Sequence, residues 1–168
     1  SRFFENVNLD IFNGYLKQKK TGLPHVTLKI GASLNGKIAT SNGESKWITN
    51  ALCRKRVQLL RSEHDGILIG KNSIIFDNPR LNLRDQFEAI ENKPIFILDT
   101  NFGLSELKNI SLFDKVGRDK VYILTNKKIE HISKKENTLF KGVSIERANT
   151  TKGLLNITEI LKIISRMG

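Results

Sequence analysis

Short, continuously apolar runs constrain the fold of this 168-residue chain more than any other feature. They lie at residues 66–70, 95–98 and 121–124, and each ends in or precedes a Gly, Asp or Thr residue. Strands that are apolar on both faces are typical of parallel sheets, because helices cover both sides of such a sheet. Residues 25–33 and 143–147 instead alternate apolar and polar side chains, which predicts two further strands.

Helical patterns separate these strands. Residues 51–64 follow Asn50, a favourable N-cap residue, and carry an apolar stripe made by Cys53, Val57 and Leu60. A last helix follows Asn156, and its apolar stripe is made by Ile160, Ile164 and Met167. Strands that alternate with helices predict an α/β fold with a mostly parallel central sheet flanked by helices.

The composition excludes several classes of protein. Apolar residues make up 39% of the chain and charged residues 27%, as in an ordinary globular protein. No apolar run approaches the roughly 20 residues that span a membrane. The single cysteine, Cys53, excludes an internal disulfide and suits a reducing cytoplasm. We therefore expect a cytoplasmic protein with no membrane partner.

The net charge of +11 does not indicate nucleic-acid binding. The basic residues are scattered along the chain, and no recognition helix, zinc-ligand spacing or aromatic platform accompanies them. A solvated basic surface explains the charge better, so we expect no nucleic-acid partner.

Residues 31–37 imitate a phosphate-binding loop. They read G-x-x-x-x-G-K after a predicted strand, but Ile38 stands where that motif needs Ser or Thr to bind magnesium. The residues after Lys37 also have loop composition, whereas the motif must open a helix. We reject a nucleoside-triphosphatase, and the absence of G-x-G-x-x-G gives no support to a Rossmann site.

The carboxyl ends of the predicted strands are the better candidate for a ligand site, because open α/β sheets bind ligands there. Small, glycine-containing or hydroxylated residues lie at these ends, as close backbone approach to a ribose or pyrophosphate requires. They are residues 31–33, residues 70–73, Asp99 with Thr100, and Thr125 with Asn126.

Several single side chains allow two interpretations. Trp47 is either an aromatic residue of the core or of its edge, or a flat wall against a cofactor ring. Arg61 is interpreted as a solvated charge on the helix, whereas Arg80 and Arg84 are either surface charges or a phosphate clamp. The three histidines have no catalytic or metal-binding spacing, and no metal site is expected.

An ordered set of motifs resembles one family. The motifs are LKIGASLNGK at residues 28–37, GESKWIT at 43–49, Leu60-Arg61, Gly70, and DNPRLNLR at 77–84. Their order is similar to that of the reductase domain of the bacterial bifunctional riboflavin-biosynthesis deaminase/reductase. The resemblance covers about residues 24–168 and is strongest up to Arg84.

This resemblance implies a dihydrofolate-reductase-like fold. It implies NADPH-dependent reduction of the ribosyl group of 5-amino-6-(5-phosphoribosylamino)uracil to the ribitylamino product. Substrate contacts would come from Ser45, Arg61, Leu81 and Arg84. Contacts with NADPH would come from Gly31, Trp47, Ser73, Asp77 and Thr100. It assigns no catalytic residue.

The chain departs from the family in two places. Asn35 stands where the family commonly has Asp, in what we interpret as a turn. The family also continues, after the last helix, into a strand and a Glu-Gly-Gly-type loop that this chain does not reach. We expect residues 1–24 to be a lead-in from a preceding domain. Residues 25–168 would be a reductase domain without its C-terminal strands, with little or no activity alone.

Two other functions stay open. One is a different dihydrofolate-reductase-like enzyme acting on another pterin or pyrimidine, although two arginines favour a phosphorylated substrate. The other is a non-catalytic nucleotide-binding fragment. A homodimer or higher homo-oligomer is expected in each case, although no residue pattern sets the number of copies.

Overall fold

The computed structural model describes residues 12–107, 109–132 and 138–167. The chain divides into two compact units, of which one comprises residues 1–29 with 156–168 and the other residues 30–155. The prediction of a lead-in over residues 1–24 falls partly on residues 1–11, which lie outside the described residues.

A parallel sheet forms the centre of the larger unit. Its strands lie side by side in chain order: β1 (Ile67–Gly70), β2 (Ile95–Leu98), β3 (Val121–Thr125) and β4 (Ser144–Arg147). All three pairings are parallel, with Ile67 opposite Ile95 and Ile95 opposite Val121. The mostly parallel α/β sheet predicted from the apolar runs is therefore confirmed.

One face of the sheet packs against the apolar core of the unit. Ile95, Ile97 and Ile123 are fully buried on one face, within a core that includes Phe102 and Phe140. The rings of those two phenylalanines are 5.1 Å apart. Burial of each large apolar side chain is worth about 1.5–3 kcal/mol, so this core supplies much of the stability of the unit.

Helices alternate with the strands along the chain. In the larger unit they are α2 (Ala51–Glu63), α3 (Lys71–Asp77) and α4 (Ser111–Val116). The smaller unit contains α1 (Asn13–Thr21) and α5 (Ile157–Arg166). The Asn50 side chain accepts a hydrogen bond from the Cys53 amide at 2.9 Å, and the Asn156 side chain accepts one from Glu159 at 3.1 Å. Both predicted N-caps are confirmed.

The predicted apolar stripe of α2 is wrong in one position. Cys53 is exposed, whereas Gln58 is the buried residue of this helix. The sequence pattern predicted the face of the helix from its apolar residues alone. A search for apolar residues alone does not find a polar side chain that the 3.6-residue period places on the buried face.

The predicted strand at 25–33 does not form in the described structure. Residues 24–33 have no regular secondary structure. Val26, Leu28 and Ile30 are 50%, 80% and 60% exposed. Alternation specifies which side chains share a face, but a strand also needs a hydrogen-bonded neighbour, and no described strand pairs with this segment.

Asn35 and Gly36 form the predicted tight turn instead of a phosphate loop. The Gly36 amide donates to the Ser33 carbonyl at 2.9 Å, and the Ser33 amide donates to the Lys37 carbonyl at 2.9 Å. Gly36 has a φ of 76°, which glycine adopts without strain. No helix follows Lys37 before α2, so the rejection of the phosphate-loop motif is confirmed.

The elements that the sequence analysis did not predict include two in particular. One is α1, which lies in the segment interpreted as a lead-in. The other is a hairpin of β5 (Thr150–Thr151) and β6 (Leu154–Leu155), which pair antiparallel. Its turn residues, Lys152 and Gly153, have φ values of 54° and 78°. Positive φ at both central positions is typical of two-residue hairpins, since it matches the twist of the strands.

Candidate functional site

The carboxyl ends of β2, β3 and β4 are tied together by backbone hydrogen bonds. The amide of Asn126 donates to the Thr100 carbonyl at 3.0 Å, and the Thr125 hydroxyl donates to the same oxygen at 3.1 Å. The amide of Ala148 donates to the Thr125 carbonyl at 2.8 Å. We call residues 99–100, 125–126 and 148 the strand-end edge. Its main chain is fixed before any ligand arrives.

Asp99 organises the turn that follows β2. Its carboxylate is 1% exposed and accepts hydrogen bonds from the amides of Gly103 at 2.9 Å and Leu104 at 2.8 Å. The ammonium group of Lys71, the first residue of α3, lies 3.7 Å from the same carboxylate. Because a buried charge needs such partners, Asp99 holds Lys71 beside the strand-end edge.

Ser45 and Asp77 are brought into direct contact. The Ser45 hydroxyl donates to Oδ1 of Asp77 at 2.8 Å. A compact turn presents Ser45, in which the Thr40 amide donates to the Glu44 carbonyl at 2.9 Å. Ser73 lies one helical turn before Asp77 on α3 and is exposed. Ser45, which is predicted to contact the substrate, therefore contacts Asp77, which is predicted to contact the cofactor.

Trp47 is not a core residue, so the first of its two interpretations is wrong. Its side chain is 72% exposed. The guanidinium group of Arg54 lies 4.2 Å from the ring centroid and also donates to the Thr49 carbonyl at 2.7 Å. This cation–π contact is worth about 0.5–1 kcal/mol at an exposed site and holds the ring flat against Arg54.

Arg61 and Arg84 form a pair of like charges. Arg61 is partly buried on α2, and Arg84 is exposed. Burial lowers the pKa of the Arg61 guanidinium from its usual value, and the positive charge of Arg84 lowers this pKa further. Among the described residues, neither arginine forms an ion pair with a carboxylate. A phosphate dianion between them would relieve the repulsion.

The segment before Arg84 is held rigidly. Leu81 is buried in the core with a φ of 55°, an unusual conformation for a branched residue. The Leu83 amide donates to the Asn92 side chain at 3.1 Å, and Asn92 in turn donates to the Lys115 carbonyl at 3.1 Å. Because the Leu81 side chain packs inward, its backbone is the part that can face a ligand.

The remaining predicted residues are placed differently. Thr100 lies on the strand-end edge, as the sequence predicted. Gly31 is partly buried within the irregular segment, and the structure describes no hydrogen bond between it and the other predicted site residues. No group of three or more His, Cys, Asp or Glu side chains suited to a metal ion occurs among the described residues.

Sequence patterns missed Gln58 and Asn82 as site candidates. Gln58 is buried on α2 three residues before Arg61, and its Oε1 atom has no hydrogen-bond partner among the described residues. The Oδ1 atom of Asn82 is likewise buried and has no such partner. The sequence signal for Gln58 was its helical spacing, which places this polar residue on the same face of α2 as Arg61.

Comparison with known proteins identifies the family. The family model described as RibD C-terminal domain matches residues 24–168. The chain belongs to the RibD C-terminal domain family. It is similar to the riboflavin biosynthesis protein RibD of Bacillus amyloliquefaciens, with 33% identity over 98% of this chain and 46% of that protein. The chain thus spans about half the length of this relative.

Solved structures of RibD proteins have the same fold. The structure of Acinetobacter baumannii RibD, form 1, matches 95% of this chain and 41% of its own, with a TM-score of 0.72 and 27% identity. A deaminase/5-amino-6-(5-phosphoribosylamino)uracil reductase from Thermotoga maritima matches 91% of this chain and 39% of its own, with a TM-score of 0.69 and 27% identity. The predicted resemblance, and the reductase-domain fold that it implies, are confirmed. No helix of the described chain has the length and apolarity to cross a bilayer.

Proposed function

We propose that this chain is the reductase unit for 5-amino-6-(5-phosphoribosylamino)uracil, in which NADPH reduces the ribosyl group to the ribitylamino product. Membership of the RibD C-terminal domain family supports a reductase of this pathway. The pair of like charges, Arg61 and Arg84, is the observation that supports a phosphorylated substrate. A partly buried guanidinium group with a second, exposed one nearby calls for an anionic ligand when neither is paired with a carboxylate of the described residues, and a phosphate ester supplies one.

The described residues fit a nicotinamide dinucleotide. Trp47 offers an exposed flat ring, and the strand-end edge offers a fixed main chain with Lys71 close by. Trp47, Ser73, Asp77 and Thr100 would hold the cofactor, with Gly31 as a further contact. When bound, NADPH supplies the hydride, and the protein supplies orientation and electrostatics.

The chain's own residues position the substrate. Arg61 and Arg84 bind its phosphate, with Leu81 contributing a backbone contact. Ser45 is oriented by Asp77 at 2.8 Å, so its oxygen is held for a second substrate contact. The shared Ser45–Asp77 contact links the substrate part of the site to the cofactor part. Such fixed geometry accelerates a reaction by reducing the entropy lost on reaching the transition state.

Titration and turnover test this proposal against its alternatives. Calorimetry on this chain measures binding of NADPH and of the phosphorylated substrate. Turnover is followed as NADPH oxidation by the complete natural protein. Binding of both ligands with turnover supports the proposal. Turnover only with an unphosphorylated pterin favours the other reductase, and cofactor binding without turnover favours the nucleotide-binding module. A cytoplasmic location and a homo-oligomeric state stay predictions.

A further inference from the structure

The backbone around Arg84 is fixed, although its side chain is exposed. The preceding residue, Leu83, is buried, and its amide donates to Oδ1 of Asn92 at 3.1 Å. The carbonyl of Arg84 accepts a hydrogen bond from the Phe87 amide at 3.2 Å. The guanidinium group therefore projects into solvent from a main chain that is held by hydrogen bonds before and after it.

Asn92 can hold this segment because its own position is fixed. Its Nδ2 atom donates to the Lys115 carbonyl in the last turn of α4 at 3.1 Å. Its backbone carbonyl accepts a hydrogen bond from Nζ of Lys120 at 3.0 Å. Three residues further on, β2 begins at the fully buried Ile95. The single side chain of Asn92 thus connects Leu83 to α4.

A second asparagine holds the other end of the same segment. Asn78, the residue after α3, accepts a hydrogen bond from the Ser111 amide at 2.8 Å through its Oδ1 atom. Its Nδ2 atom donates to the Asn109 carbonyl at 3.4 Å. Ser111 is the first residue of α4, so residues 78–83 are attached near both ends of this helix by separate contacts.

The two attachments lie beside different parts of the proposed site. Asp77, which is assigned to the cofactor, directly precedes Asn78. Arg84, which is assigned to the substrate phosphate, directly follows Leu83. Loss of the Asn92 contact would therefore release the substrate end of the segment and leave the cofactor end held.

We propose that Asn92 is a positioning residue for substrate binding, which holds Arg84 in place through the Leu83 amide. This inference rests on the proposed function, which places the substrate phosphate on Arg84. A guanidinium group whose backbone is already fixed loses less conformational entropy when it binds phosphate. Asn92 thus contributes to substrate affinity through Arg84 and not by a contact of its own.

Initial rates of NADPH oxidation by the complete natural protein, with 5-amino-6-(5-phosphoribosylamino)uracil as substrate, test this inference. Asn92→Ala removes both side-chain contacts and should raise the KM for the substrate roughly three- to tenfold, the cost of ordering one flexible side chain on binding. The KM for NADPH and kcat should stay within about twofold. Asn109→Ala is the control, because Asn109 is exposed and contacts Asn78 through its backbone carbonyl; it should change none of these.

A conservative variant separates positioning from stability. Asn92→Asp keeps an acceptor for the Leu83 amide and loses the donor to the Lys115 carbonyl. Both variants should unfold at a lower urea concentration, because each loses the Lys115 contact. Only Asn92→Ala should raise the substrate KM by more than about twofold. Equal increases in the two variants, or equal increases in the KM values for substrate and NADPH, would overturn the inference.

A double substitution shows whether Asn92 acts through Arg84. In a protein that already carries Arg84→Ala, Asn92→Ala should raise the substrate KM by no more than about twofold, because changes to one shared contact are not additive. The full increase in that background would overturn the inference. If Arg84→Ala alone raises the substrate KM and Asn92→Ala alone does not, only this inference fails. If Arg84→Ala alone leaves the substrate KM unchanged, the phosphate assignment fails, and the inference fails with it.

Discussion

If the pair of like charges is a phosphate site, replacement of Arg84 by alanine weakens substrate binding but does not lower the free energy of unfolding. A charge-assisted hydrogen bond to phosphate is worth about 1.5–3 kcal/mol, which corresponds to roughly a ten- to hundredfold rise in the KM for the phosphorylated substrate. The KM for NADPH should change by less than about twofold, because Arg84 is assigned to the substrate alone.

Stability should not fall in this variant. Arg84 is exposed; burial lowers the pKa of Arg61, and repulsion from the charge of Arg84 lowers this pKa further. Removal of Arg84 relieves this repulsion, so the pKa of Arg61 rises and the free energy of unfolding stays equal or increases slightly. An ordinary surface substitution changes it by less than about 0.5 kcal/mol.

The assay measures initial rates of NADPH oxidation by the complete natural protein, together with urea unfolding of each variant. Arg56→Ala is the matched control, because Arg56 is an exposed arginine on α2 that is assigned to no part of the site. The control should leave both Michaelis constants unchanged. A substrate KM within about twofold of the unchanged protein for Arg84→Ala would refute the reasoning and make Arg84 a solvated charge.

Three other predictions concern the cofactor and the scaffold. We expect NADPH to bind roughly ten- to hundredfold more tightly than NADH, as one charge-assisted phosphate contact would give; equal affinities in a calorimetric titration would contradict this. Asn50→Ala removes the N-cap of α2 and should lower the free energy of unfolding by about 0.5–2 kcal/mol, whereas Asn72→Ala on the exposed surface of α3 should not lower it. Asp99→Asn weakens the buried carboxylate's contacts with two amides and Lys71, and should cost about 1–3 kcal/mol in urea unfolding; Asp114→Asn, at an exposed position, should cost far less.

The central sheet could be predicted because its strands are apolar on both faces. Residues 95–98 and 121–124 have no helical alternative of sufficient length, and each ends at a polar residue. The segment at 25–33 shows the limit of this reasoning. Its alternation is clear, but formation of a strand depends on a neighbour, which the local sequence does not specify.

The candidate site could be predicted by residue type but not by arrangement. Motif resemblance picked out Ser45 and Asp77 separately, and only the fold shows that they share a hydrogen bond. The core interpretation of Trp47 was equally plausible from sequence, because burial depends on what packs around a side chain. Burial of Gln58 was missed for the same reason, since nothing in its local sequence says that this polar side chain packs inward.

The hydrogen bonds of the strand-end edge affect how the site can change through mutation. Each of its four cross-links ends on a backbone carbonyl: the Thr100 carbonyl receives two donors, and the Ala148 amide and carbonyl bond to Thr125 and Asn126. Two of these four bonds join backbone atoms alone and do not depend on which side chain occupies the position. Mutations at exposed neighbouring positions can therefore alter ligand preference without moving the frame that presents the ligand. The three strand ends should also open to solvent as one cooperative unit, so that their amide hydrogens exchange at a common rate.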